Sequence, residues 1–421
     1  MSLQGPVIVV AETPVAEVTQ ALSVAGAFPI VETNWADAPT AFVAVKPVAV
    51  VIAEPGAPAS ESSARMLCLQ IATAPGPIVP TVAVTRDNLE PAVPLALPAD
   101  ASLSLKHLVA RLRSAMRVHA LHAIVLRRIE TFVPHAGKVP TLPVGDPLED
   151  ATVLIAGRGP LYPALSVAIG ERMHMLGALS VESAARYLGA RDIDGIVVGD
   201  GFSPRIIEAF LTVLAQDTQF RDIPVAVIGE APADFADMLP NIDKVSGDPA
   251  HIVARMVPLV RMHAFEARLK RMLKSLDTDG HYDPQTSLLT RDCFFRDLNK
   301  AIADTGAHSQ ALSVARFSFD GIDGDRARFD RARLLTRLVR KIDFATAEDD
   351  GALLVAFTQT DLRGAHVVAR RFAAGLQSAV GAAPRLHEKP ATNVTLATLK
   401  AGDTLDSLMQ RVMGSQVVAA E

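Results

Sequence analysis

Residues 108–128 read LVARLRSAMRVHALHAIVLRR, and residues 252–272 read IVARMVPLVRMHAFEARLKRM. At one offset, 252 − 108 = 144, eight of the 21 positions are identical: Val109/Val253, Ala110/Ala254, Arg111/Arg255, Arg117/Arg261, His119/His263, Ala120/Ala264, Ala123/Ala267 and Arg127/Arg271. Self-similarity at a fixed spacing marks a duplicated structural unit. Both stretches space their apolar residues at helical intervals, which predicts two long amphipathic helices.

The segments before each helix repeat as well. Pro6–Val10 is matched by Thr152–Ala156, Val48–Ile52 by Gly195–Val198, and Pro80–Thr85 by Pro224–Gly229. Short β-branched runs alternating with helical stretches predict parallel strands buried on both faces. The expected fold is therefore α/β: two tandem flavodoxin-like, doubly wound domains, residues 1–133 and 151–276, each leaving through its long helix. A Pro- and Gly-containing linker, residues 134–150, joins them. After Leu276 the pattern changes. Residues 277–421 predict an α+β or α/β module with a largely antiparallel sheet: strands Leu312–Phe319, Ala352–Phe357 and Asn393–Leu399, and helices Arg328–Lys341, Ala365–Leu376 and Thr404–Met413.

Composition narrows the class. The 421 residues are 49% hydrophobic and 21% charged, enough apolar material for several cores. A net charge of −5 argues against wholesale binding of DNA or an anionic membrane. Cys68 and Cys293 are the two cysteines, so neither a disulfide framework nor a four-cysteine zinc site is available. No apolar run approaches the ~18–20 residues of a membrane span, and no signal-peptide pattern opens the chain, so a cytoplasmic protein is expected. Neither a phosphate-binding G-x-x-x-x-G-K-[ST] loop nor a G-x-S-x-G nucleophile elbow occurs. His119 and His263, at equivalent helical positions, read as shared packing.

The repeated unit resembles the receiver domain of two-component response regulators. That likeness implies an acidic pair after the first strand and a phosphorylatable Asp ending the third, which together hold Mg²⁺ and accept a phosphoryl group. Most of the set is missing. The first domain has Ala11-Glu12 after its first strand and Ala53-Glu54-Pro55 after its third. The second has Gly157-Arg158 in place of the acidic pair, and Asp200 stands about one residue late. Asp200 keeps two readings, phosphoacceptor or solvated turn carboxylate. The expectation is a pair of pseudo-receivers used for docking and homodimerisation.

Asp283-Pro284-Gln285-Thr286-Ser287-Leu288-Leu289-Thr290-Arg291 resembles the D-x-L-T-x-L-x-N-R opening of GGDEF domains, which make cyclic di-GMP from two GTP. Two receivers before such a domain is the order of PleD-like diguanylate cyclases and PopA-like effectors. The signature itself is degenerate. Asp349-Asp350-Gly351-Ala352-Leu353 stands where the family has Gly-Gly-Asp/Glu-Glu-Phe, so glycines that admit the nucleotide and carboxylates that hold metal are both replaced. Ser318 stands at the family's metal-binding Asp, and Asp320, Asp323 and Asp325 read as a solvated turn. No cyclase activity and no metal are expected.

One binding element persists. Arg340-Lys341-Ile342-Asp343 matches the family's inhibitory-site R-x-x-D, with five residues between Asp343 and the degenerate signature, and Arg371 falls where the family carries a second arginine. The likeness implies a product dimer gripped by Arg340, Asp343 and Arg371: guanidinium to guanine O6/N7 or phosphate, carboxylate to the guanine N–H edge. As bare residues, Arg340 and Asp343 are equally an exposed ion pair at a helix end. The resulting expectation is a catalytically inactive bacterial cyclic di-GMP effector that recruits an unidentified protein partner, at a cell pole or in cell-cycle control. The alternatives are a ligand-independent dimeric scaffold and a residual diguanylate cyclase.

Overall fold

The computed structural model describes residues 4–53, 61–85, 96–100, 105–131, 141–142, 145–229, 235, 238–308, 311–319, 325–340, 342–379 and 392–414. The chain divides into two compact units, residues 1–130 with 144–270 and residues 131–143 with 271–421.

The first unit holds two parallel sheets. One is built from β1 (Gln4–Val10), β2 (Phe28–Thr33), β3 (Ala49–Ile52), β4 (Thr81–Thr85) and β5 (Leu97–Asp100), with α1 (Ala16–Val24), α2 (Ala38–Val45), α3 (Glu61–Thr73) and the long α4 (Leu105–Thr131). The other uses β6 (Thr152–Ala156), β7 (His174–Ala178), β8 (Gly195–Val198), β9 (Val225–Ile228) and β10 (Ile242–Val245), with α5 (Tyr162–Gly170), α6 (Val181–Ala190), α7 (Pro204–Gln216) and α8 (Pro249–Asp277). The strand orders are β2-β1-β3-β4-β5 and β7-β6-β8-β9-β10, the same 2-1-3-4-5 order twice. Every residue of β3, β6 and β8 is buried, as strands covered by helices on both faces must be.

The repeated helices explain how two similar halves share one unit. Arg255 of α8 is buried and makes a bidentate pair with Asp243 of β10, both bonds at 3.0 Å. The 144-residue offset maps Arg255 onto Arg111, also buried, but maps Asp243 onto Ala99. Without that carboxylate, the Arg111 guanidinium donates to the carbonyls of Pro98, Pro240 (3.2 Å) and Ile242 (2.5 Å), the last two belonging to the other half. His122 of α4 meets Phe265 of α8 edge-on at 5.1 Å, and Arg117 pairs with Asp222. His119 and His263 bond to the Ile78 carbonyl (2.6 Å) and Asp194 (3.1 Å). Of the expected linker, residues 145–150 pack with this unit: Leu148 is buried, Arg261 grips Asp146, and Arg268 grips Asp150.

The second unit carries α9 (Arg291–His308), β11 (Leu312–Phe319), α10 (Asp325–Leu338), β12 (Phe344–Ala347), β13 (Leu353–Thr358), α11 (Leu362–Ala379), β14 (Thr392–Thr398) and α12 (Leu405–Gly414). Its sheet order is β12-β13-β11-β14, antiparallel throughout. Phe317, Phe357 and Phe372 pack one face and Phe294, Leu354 and Leu408 the other. Two sequence expectations need correction. The helix expected to reach Lys341 stops at Leu338, because the chain must turn to start β12. That strand, only four residues long, was not foreseen. Among the described residues, no helix is long and apolar enough to cross a membrane.

Candidate ligand-binding site

Two places in the second unit hold residues singled out from the sequence. The first is the hairpin between β12 and β13. It closes with the Glu348 N–H donating to Ala352 O (2.8 Å) and the Gly351 N–H to Glu348 O (2.9 Å). Gly351 takes φ +83°, a left-handed turn conformation that glycine adopts at no steric cost. Ala352 and Leu353 are buried, Asp349 is exposed, and Asp350 folds back to accept the Ala352 N–H at 2.9 Å. The controlling residue is Arg316, in the middle of β11. Its Nε donates to Glu348 Oε2 at 2.7 Å, and its Nη2 donates to the Asp350 carboxylate. Arg328 of α10 adds a second cation, donating to the Asp349 carbonyl at 2.5 Å. Strand alternation puts Ser318 on the same face as Arg316. The Glu348 and Asp350 carboxylates are thus both held by Arg316. Asp320 and Asp323 lie outside the described residues, and Asp325 is exposed at the start of α10.

The second place is the turn after α10. The Asp343 N–H donates to Arg340 O at 3.0 Å, so Arg340 sits just past the helix, exposed, with Asp343 three residues on and buried. The Thr358 N–H (3.0 Å) and hydroxyl (3.3 Å) both donate to Asp343 Oδ1. Oδ2 accepts from none of the described residues. Burial pushes the Asp343 carboxyl above its ordinary value, against the lowering effect of the Thr358 donors and of the Arg340 charge. Among the described residues no acceptor is bonded to the Arg340 guanidinium. Arg340 and Asp343 line one open cavity of about 690 Å³, a size suited to a small organic ligand. Its wall continues through Phe344 and Thr336 to Lys274, Tyr282 and Asp297.

The other expected residues do not converge on this cavity. Arg371 is exposed on α11 and does not line it. Lys341 lies outside the described residues. Asp200 belongs to the first unit, half-buried after β8. Its carbonyl accepts the Arg158 N–H at 3.3 Å, and its carboxylate packs where a Cβ on Gly159 would stand. Among the described residues no three His, Cys, Asp or Glu side chains group as a metal site requires. Sequence reasoning missed Arg316, Glu348, Lys274 and Tyr282. A charged residue inside the apolar run Leu312–Phe319 was the available signal for Arg316; nothing local pointed to Lys274 or Tyr282.

The chain matches no protein-family model and no curated protein. It is similar to solved GGDEF-domain structures over about a third of its length. One is the coiled coil and GGDEF domain of DgcB from Caulobacter crescentus in complex with c-di-GMP: 19% identity, 35% of this chain and 84% of that chain, TM-score 0.31. Another is the diguanylate cyclase SiaD with its activator SiaC from Pseudomonas aeruginosa: 19% identity, 35% and 62%, TM-score 0.30. A third is the FimX GGDEF domain from Pseudomonas aeruginosa: 14% identity, 32% and 89%, TM-score 0.29.

Proposed function

We propose that this chain is a cyclic di-GMP effector whose GGDEF-type domain binds the finished nucleotide and no longer makes it. The observation that carries this is that Arg340 and Asp343 line the same 690 Å³ cavity. A carboxylate kept buried against its charge preference, with one oxygen unused, is poorly explained by stability and well explained by a ligand that donates to it. The guanine N1–H and N2–H edge is such a donor. The neighbouring guanidinium offers a planar fork to guanine O6/N7 or to phosphate.

Loss of cyclase chemistry is supported by the hairpin. In-line attack of one GTP on another needs metal-bridged phosphates and free carboxylates. Arg316 engages Glu348 and Asp350 instead, and Gly351 and Ala352 bring no carboxylate. The two sheets of 2-1-3-4-5 order support the reading of tandem receiver-type domains; with Arg158 beside Asp200, phosphoryl transfer there lacks its metal-binding acids. In this reading they serve as partner-docking and homodimerising modules, by faces other than the contact already made between α4 and α8.

Titration calorimetry with cyclic di-GMP tests the proposal. Saturable binding that Arg340→Ala abolishes supports it. Absence of binding at tens of micromolar leaves the ligand-independent scaffold. Formation of cyclic di-GMP from GTP and Mg²⁺ by the purified chain restores the cyclase.

A further inference from the structure

The cavity holds a second cation that the R-x-x-D pattern does not contain. Lys274, in the last turn of α8, lines it together with Tyr282, and the Lys274 ammonium rests over the Tyr282 ring, 4.7 Å from its centroid. No carboxylate pairs with Lys274 among the described residues. The chain between the two residues is tightly tied: the Gly280 N–H donates to Ser275 O at 2.8 Å, and the Ser275 hydroxyl donates to Tyr282 O at 2.6 Å. The ring therefore holds the ammonium in place from a fixed turn, by cation–π attraction. Asp297 is the remaining charged group of the wall, and Arg296 stands 3.8 Å from it.

Two cations with no bonded carboxylate among the described residues thus face the same space as the half-open Asp343 carboxylate, while the Asp297 charge is offset by Arg296 beside it. That pattern fits a dianion with a hydrogen-bond-donating edge, as a cyclic purine dinucleotide is. We infer that Lys274 is a second phosphate-binding residue of this site and that Tyr282 positions it, so that an occupied cavity also fastens the C-terminal turn of α8. This rests on the nucleotide reading above and adds residues to it.

The full chain is titrated with cyclic di-GMP as Lys274→Ala, Lys274→Arg, Tyr282→Ala and Tyr282→Phe, beside Arg340→Ala. Lys274→Ala is expected to weaken binding ~10-fold or more, as loss of a hydrogen bond to a charged group does, and Tyr282→Ala, which releases the ammonium from its ring, to weaken it in the same direction. The Arg and Phe variants, which keep the charge and the ring, are expected to bind within about threefold of the parent. Lys274→Ala also lowers the dependence of affinity on salt. Binding unchanged in Lys274→Ala but lost in Arg340→Ala overturns this inference and leaves the proposed function standing. No binding by the parent chain overturns both.

Discussion

Asp343 takes both of its hydrogen bonds from one residue: Thr358, at the end of β13, donates its N–H at 3.0 Å and its hydroxyl at 3.3 Å, both to Oδ1. The hydroxyl shares its one proton between Asp343 and the nearer Ile342 O at 2.9 Å, so the start of β12 is fastened to the end of its partner strand. The turn that presents Arg340 and Asp343 is therefore part of the sheet's edge. The other carboxylate oxygen accepts from none of the described residues.

Burial raises the folded-state value of Asp343 above the unfolded one, so the folded chain holds this proton more tightly. Its stabilising contribution is complete below the ordinary carboxylate value and is lost as pH rises through the raised one. Asp343→Asn removes that loss. The variant should be more stable than the parent near neutrality, converge with it in acid, and bind cyclic di-GMP ~10-fold or more weakly. Urea midpoints across pH and a parallel titration check this; a variant less stable at neutral pH contradicts it.

At the hairpin, Arg316→Met leaves Glu348, whose side chain is 7% exposed, without its guanidinium at 2.7 Å. The expected cost is about 2–3 kcal/mol, below that of a fully buried pair because Arg316 is partly solvated. Adding Glu348→Gln should recover most of it. Urea unfolding of the two variants measures the difference, and equal losses in both would show that the pair is not the cause.

Replacing Gly351 by Glu puts a carboxylate in the β12–β13 turn, where the resemblance noted in the sequence has one. The residue sits at φ +83°, and a Cβ there meets Arg328 Nε at 2.8 Å. A loss of ~1–2 kcal/mol is expected from the backbone conformation, with no gain of GTP turnover. Product detected by chromatography would contradict the second half.

In the first unit, two ion pairs should behave oppositely. Asp243→Ala strands Arg255 in the core, where the side chains are 3% and 1% exposed, and should cost about 3–5 kcal/mol. Glu61→Ala breaks the Arg65 pair, 79% and 80% exposed, and should change stability by less than about 0.5 kcal/mol. Denaturant midpoints distinguish them directly.

The duplicated helices and the buried strands were legible because their signals are local: eight shared residues in a fixed register, and short apolar runs such as Ala49–Ile52 that belong in a doubly covered sheet. What escaped is carried by distance. β12, Phe-Ala-Thr-Ala, is too short and too mildly apolar to declare itself and exists because β13 pairs with it. Arg316 meets Glu348 across 32 residues, and Asp343 finds Thr358 across 15. Lys274 reaches the cavity only because the turn after α8 brings Tyr282 beneath it. Arg340 and Asp343, singled out through a family spacing, line one cavity, while Arg371, placed by the same likeness, does not line it.

The most direct measurement is a crystal structure of the chain grown with cyclic di-GMP. The account predicts nucleotide density in the cavity after α10, with a guanine edge on Asp343 and the Arg340 guanidinium on guanine or phosphate. Density at the β12–β13 hairpin, with the Arg340–Asp343 cavity empty, would contradict it.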